Sequence, residues 1–357
     1  MSPRRAAFAA AVVAVLAAVA VVVALSTDRS SVVPVARASL LPAATAPQSP
    51  ELAGITHFDN TAPLTLRSLR GRVVLVDFWT YTCINCRRTF PFLRALSKHY
   101  EQTGLTVLGV HSPEFAFERN HDNVARAIRE LGVTWPVAED PQMATWQAFS
   151  NEYWPADYLV DRTGRVRFFH AGEGGDTEVE DAVRALLAEG GTVPADRLGD
   201  VRTTERPGSG LTPETYFGAE RGASYLTAVV PPGRTVVRHD GGQPRDRLSL
   251  DGTVTGGLEY LELGAEASVT QRFRARDIYA TSSPGAGPVV LDVTLDGAPV
   301  PAARRGSSLT LSGGRTVVVL RSQDLLHLVT GTSVQDGTLR VTARTAGARF
   351  FTFTYGG

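Results

Sequence analysis

The sequence predicts an α/β layered domain followed by an all-β sandwich or jelly roll, both behind one N-terminal apolar helix. Three observations carry this. Residues 51–191 read as strand, helix, strand, helix, two strands and helix, the order of an α/β layer. From residue 214 onward there are only short β-rich runs between Gly, Pro and Asp turns, with no long helix. Ala6–Leu25 carries no charge. At 357 residues the chain is long enough for two domains. An apolar content of 43% is too high for a disordered chain.

The twenty residues from Ala6 span about 30 Å as a helix, the thickness of a bilayer core. Arg4 and Arg5 precede them, so the positive-inside rule places the bulk of the chain outside the cytoplasm, whether residues 1–28 are a retained anchor or a cleaved signal. Residues 29–50 are rich in Ser, Ala and Pro and read as a tether. Pro63–Leu66 reads as a short strand before a turn at Leu69–Arg72. Val73–Trp79 is a nearly continuous apolar run, as in a buried central strand. Cys83–Gln102 has Phe90, Leu93, Leu96 and Tyr100 at helical spacing, with Pro91 inside as a predicted kink.

Leu105–Val110 is a second apolar strand, and Asn123–Gly132 a helix with a glycine stop. Trp135–Ala138 is short and extended, and Met143–Phe149 a short helix. Ala156–Val160 and Arg165–His170 form a hairpin around Asp161–Gly164. Asp176–Glu189 closes the domain as a helix. Residues 192–213 read as a linker, and 214–357 as the β domain. Its runs are Ser268–Phe273, Val289–Leu295, Ser308–Leu311, Thr316–Leu320, Leu339–Ala343 and Phe350–Tyr355, with hairpin turns at Asp296-Gly297 and Gly313-Gly314.

Thirty-six basic residues balance thirty-six acidic ones, which argues against a dedicated nucleic-acid binder. Cys83 and Cys86 are the two cysteines, which excludes a disulfide-stapled scaffold and a four-cysteine metal site. They stand where a buried strand meets a helix. Free N–H groups at a helix start favour an anion, so the first thiol is poised to attack. A second thiol one turn along can resolve the resulting mixed disulfide. A purely stabilising disulfide would close a loop of a few residues and gain little. A metal at the pair needs two further ligands, and His99, His111 and His121 lack paired metal-site spacing. No metal and no cofactor is expected beyond the redox-active Cys83–Cys86 pair.

Val76-Asp-Phe-Trp79 before Cys83-Ile-Asn-Cys86 resembles the thioredoxin superfamily, and more closely its exported TlpA-like branch. Cys83-Ile-Asn-Cys86-Arg, Ser112–Glu118 and Tyr153–Val160 resemble the C-terminal region of DipZ-type thiol:disulfide proteins. Leu211–Gly218 and Phe351–Gly356 are similar to that family's β-rich tail. The resemblance implies a thioredoxin-like fold, a central mixed sheet flanked by helices, over residues 51–191. It implies that Cys83 attacks, Cys86 resolves, and Asp77 is a buried acid that takes the Cys86 proton. Pro155 matches the cis-proline facing the dithiol, with Trp154 presenting its backbone to substrate; Trp154 and Trp79 would border the thiols. Glu114 and Glu118 fall in the family-like stretch without a derivable role, so an exposed loop and helix cap is the default.

The function expected from this is an extracytoplasmic reductase of disulfides in exported client proteins, apocytochromes among them. DipZ-type proteins carry a polytopic CcdA-type domain, whereas this sequence shows one apolar run, so a separate CcdA-like partner would supply electrons. The same residues would serve a disulfide-forming oxidant. Thr80, three residues before Cys83, resembles part of a peroxidase site, but Val76 stands where that site has proline. A non-enzymatic alternative is an anchored protein whose β domain binds glycan or cell wall through its aromatic residues.

Overall fold

The computed structural model describes residues 40–191, 193–199, 201, 210–238 and 242–356. The apolar run at Ala6–Leu25, the first part of the tether and most of residues 200–209 lie outside the described residues. Among the described residues no helix is long and apolar enough to cross a membrane.

The first domain is a six-stranded mixed sheet. Its strands are β1 (His57–Asp59), β2 (Val73–Trp79), β3 (Leu105–His111), β4 (Val137–Glu139), β5 (Ala156–Val160) and β6 (Val166–Ala171). They lie in the order β1-β4-β3-β2-β5-β6. β2, β3 and β4 run parallel, while β1, β5 and β6 are antiparallel to their neighbours. β2 is central and buried along its whole length, which explains its lack of polar alternation.

Successive β2 side chains take opposite faces. Val74, Val76 and Phe78 join Leu108, Val110, Trp146 and Phe149 in one core. Trp79 faces the other way, its ring 5.2 Å from Phe90 on helix α1 (Ile84–Tyr100). α1 runs through Pro91 without interruption. α2 (His121–Glu130) and the short α3 (Ala144–Ala148) come next, and α4 (Asp176–Glu189) completes the domain. The Tyr100 hydroxyl donates to Glu180 at 2.7 Å, joining α1 to α4.

Two sequence expectations are corrected here. Pro63–Leu66 is not a strand: the Glu51 carboxylate accepts from the Leu66 and Arg67 N–H groups, and Thr65 and Ser68 bond each other. Those donors are satisfied locally and have no need of a ladder. The tether is also shorter than expected, because the segment ending at Pro50 is docked on the hairpin. Leu41 N–H donates to Arg167 O, Val166 N–H to Pro47 O, and Ser49 N–H to Gly164 O.

Among the described residues, thirteen strands form the second domain: β7 (Thr215–Tyr216), β8 (Gly233–Val237), β9 (Leu248–Gly256), β10 (Leu261–Leu263), β11 (Ser268–Ala275), β12 (Asp277–Pro284), β13 (Val289–Leu295), β14 (Ala298–Pro299), β15 (Thr310–Ser312), β16 (Arg315–Leu320), β17 (Asp324–Val329), β18 (Gln335–Ala343) and β19 (Ala348–Gly356). One face is β15-β16-β13-β18-β11-β9 and the other β9-β10-β19-β12-β17. β9 belongs to both, pairing with β11 through residue 251 and with β8 and β10 beyond it. Gly252 sits at the changeover with φ +107°, where a Cβ would stand 2.8 Å from the Ala267 backbone. Leu291, Val341 and Phe273 from one face meet Phe350, Phe353 and Ile278 from the other in one core.

The two domains share an aromatic contact. Phe351 of β19 packs 5.0 Å from Phe115 and 4.8 Å from Phe117, both in the loop after β3. Phe351→Ala is expected to cost about 3 kcal/mol, as for a buried aromatic truncation. Because the cavity lies between the domains, thermal unfolding should split into two transitions; one unsplit transition at the wild-type temperature would contradict this.

Candidate active site

Cys83 is the N-cap residue of α1, held at the end of β2 by the Thr80–Thr82 turn. The Cys86 N–H donates to the Cys83 sulfur at 3.3 Å. Such a contact strengthens as the sulfur takes on charge. Both cysteines are free thiols; Cys83 is half-buried and Cys86 fully buried. Burial, and then the Cys83 side chain, push the Cys86 thiol well above its ordinary value.

Beneath Cys86 lies Asp77, 1% exposed. Burial, and then the Asp157 carboxylate, raise it well above the usual carboxylate range. Asp157 is its antiparallel partner on β5, so both side chains take the same face. Burial and Asp176 push Asp157 up to about 7. Asp77 Oδ2 and Asp157 Oδ1 are buried without a hydrogen-bond partner. A carboxyl so placed is prepared to hold a proton.

Across from the dithiol, the Trp154–Pro155 peptide is cis, and the Trp154 carbonyl lies 4.0 Å from the Cys83 sulfur. The Trp154 indole donates to Ser112 O at 2.9 Å and stacks on Trp146, which fixes the ring at the cleft edge. Trp79 does not border the thiols. It is fully buried between Phe90 and His111, a core residue.

Glu118 is a helix cap as the sequence reading has it, accepting from the N-cap Phe115 of the short helical turn Ala116–Arg119, but it is not exposed. It is 0% exposed and directly behind the dithiol turn. One oxygen accepts from the Thr82 N–H at 3.3 Å and the Thr82 hydroxyl at 2.5 Å; the other accepts from the Glu114 and Phe115 N–H groups at 2.7 and 3.0 Å. Burial outweighs these bonds and pushes its carboxyl up to about 7. A glutamate in a loop with no apolar periodicity reads as exposed, and no local signal distinguishes this one.

The β domain forms the opposite wall. A cleft of about 330 Å³ runs from Cys83 between Trp154 and Glu114 on one side and Tyr216, Thr352 and Thr354 on the other. Glu114 is half-buried, paired with Arg221 at 2.7 Å and bonded by the Tyr216 hydroxyl at 3.1 Å. Glu214 accepts from Thr354 at 2.8 Å, and burial beside Glu114 pushes it up to about 7. Sequence reasoning placed no β-domain residue near the thiols.

Comparison with known proteins places the chain in a family. The family described as Redoxin matches residues 41–186, and the thioredoxin-like C-terminal domain matches residues 212–356. The thiol-disulfide oxidoreductase YkuV of Bacillus subtilis is 31% identical over 39% of this chain and 94% of its own length. The chain belongs to the thioredoxin-superfamily thiol:disulfide oxidoreductases. Protein DipZ of Mycobacterium bovis is 36% identical over 86% of this chain. The chain spans 43% of DipZ's length. Among solved structures, a thiol:disulfide interchange protein of Chlorobium tepidum is 22% identical over 40% of this chain and 97% of its own, with a TM-score of 0.35.

The Glu118 geometry makes two predictions. Glu118→Ala strands three backbone N–H groups and a hydroxyl, and should cost about 3 kcal/mol in denaturant unfolding. Glu118 has a folded value near 7 against 4.5 unfolded, so the folded state holds the extra proton between those values. Its contribution is therefore full at low pH and lost as pH rises through about 7. His111, pushed down to about 3 by burial, works in the opposite sense below its ordinary 6.5, so the difference between proteins is the measurement. Between roughly pH 5 and 7.5 the wild type should lose more stability than Glu118→Gln; parallel curves would contradict the assignment.

Proposed function

We propose that this oxidoreductase works outside the cytoplasm as a reductase of client-protein disulfides, with Cys83 attacking and Cys86 resolving. The observation that supports this most is the vertical order of the site: a half-buried sulfur capping α1, a fully buried second thiol, and a buried, unpaired carboxyl below it. The Cys83 thiolate attacks a client disulfide, forming a mixed disulfide and releasing one client sulfur as thiolate. Asp77 takes the proton from Cys86. The Cys86 thiolate then attacks the Cys83 sulfur and releases the second client sulfur, leaving a Cys83–Cys86 disulfide. Two electrons have passed to the client, whose two thiolates take up one proton from Asp77 and one from water, so a reductant must restore the dithiol. A CcdA-like membrane protein is the proposed donor, and apocytochromes fall within the client class.

Trp154 and Pro155 form the strand-like edge on which a client segment would lie, the Trp154 carbonyl accepting from its backbone. We read the β domain as the second wall of that groove and not as a glycan platform. Of the β-domain aromatics available to a sugar platform, Phe217, Phe350, Phe351, Phe353 and Tyr355 are buried, while Tyr216, Tyr225, Tyr260 and Tyr279 are half-buried.

Cys83→Ser should abolish turnover, while Cys86→Ser should accumulate mixed disulfides visible on non-reducing gels. Full multiple-turnover activity in Cys86→Ser would overturn the two-thiol mechanism. Asp77→Ala should slow resolution and flatten its pH dependence across roughly pH 6–9; an unchanged profile would leave Asp77 a structural role only. Direction is read from the equilibrium reduction potential by thiol trapping in redox buffers. A value near thioredoxin's, about −270 mV, supports a reductase, and one near about −120 mV reverses the direction.

A further inference from the structure

His57, His121 and Glu139 are widely separated in sequence, and sequence spacing gives no sign of a shared site. Strand pairing brings them together. His57 of β1 lies opposite Glu139 of β4, on the same face of the sheet. His121 opens α2 directly above. The two imidazoles stack with centroids 3.9 Å apart and planes 12° from parallel. Both present Nδ1 to one carboxylate: His121 at 2.7 Å from Oε1, and His57 at 3.8 Å from Oε2. The three donor atoms lie within 4.8 Å of one another.

We propose that His57, His121 and Glu139 form a binding site for a borderline divalent metal ion of the zinc class. Two neutral imidazoles and a carboxylate are the ligand types such ions select, with bonds of about 2.0–2.2 Å. Around an ion at that distance the two rings would have to turn out of their parallel stack so that both lone pairs converge, which the exposed histidine side chains are free to do. The carboxylate itself is fixed: its side chain is 3% exposed. Asp59, two residues along β1 from His57, lies close enough to act on Glu139 and keeps Oδ2 buried without a partner. It would stand as an outer-shell group to the ligand carboxyl, as carboxylates do in metal sites. With three protein ligands and half-exposed histidines, a fourth position remains open to water. The ion would clip β1, a three-residue edge strand, to both β4 and α2.

Thiolates are themselves zinc ligands, so the test uses the full chain with Cys83→Ser and Cys86→Ser. Zn²⁺ titration by calorimetry at neutral pH should show one equivalent bound, with proton release and a raised unfolding temperature. Co²⁺ should give visible d–d bands. His57→Ala and His121→Ala, each in that background, should weaken binding by at least about tenfold. Far-UV circular dichroism checks that each variant is folded; should one not be, the other carries the test. Absence of heat and of Co²⁺ bands overturns the proposal and leaves an ion pair beneath a stacked ring. Binding of equal affinity in both variants also overturns it, because the ion would then sit elsewhere.

Discussion

A single buried carboxyl organises the active-site end of this molecule. Glu118 has no access to water and binds donors from two segments, the Thr82 turn and the loop at Glu114–Phe115. The first segment delivers Cys83 to the start of α1. The second carries the residues that meet the β domain: Glu114 with Arg221, the Ala116 N–H with Glu259, and Phe115 and Phe117 with Phe351. The thiol and its opposite wall are thus positioned through one side chain. Exchanging these bonds for water is impossible without opening the core, so the carboxyl constrains both segments at once.

The electrostatics of the site arise from burial more than from charge pairing. Asp77, Asp157, Glu118 and Glu214 are all displaced toward the protonated form, each chiefly because water has been removed. Asp77 lies near Cys86 and Glu118 behind the turn that carries Cys83. Two acids of the same kind therefore serve different ends, one prepared to exchange a proton and the other to hold a turn.

Much of the redox domain was legible because its signals are local. The apolar run of β2, the spacing of Phe90, Leu93 and Leu96, and the two cysteines at the strand–helix junction are each contained in a few residues. Their positions in the structure agree with that reading. The features that stayed hidden depend on pairing across long stretches of chain. β12 was missed because Thr281, Ser282 and Ser283 read as polar, yet the strand lies between β19 and β17 with these side chains buried. β1 was missed because three residues carry no periodicity. Glu118 and the β-domain wall of the cleft were invisible for the same reason, since burial of an acid is set by the segments that fold over it.

The strand that walls the cleft has a consequence in time as well as in space. Thr352 and Thr354 lie in β19, far downstream of Cys83 in the order of synthesis. The redox domain has its own core and can fold as soon as it emerges, as N-terminal domains do. β19 pairs with β7, β10 and β12, so the wall is assembled only when those strands are gathered. A newly made chain therefore passes through a stage in which the dithiol is formed but uncovered. During that interval the Cys83 sulfur has only one wall of its cleft.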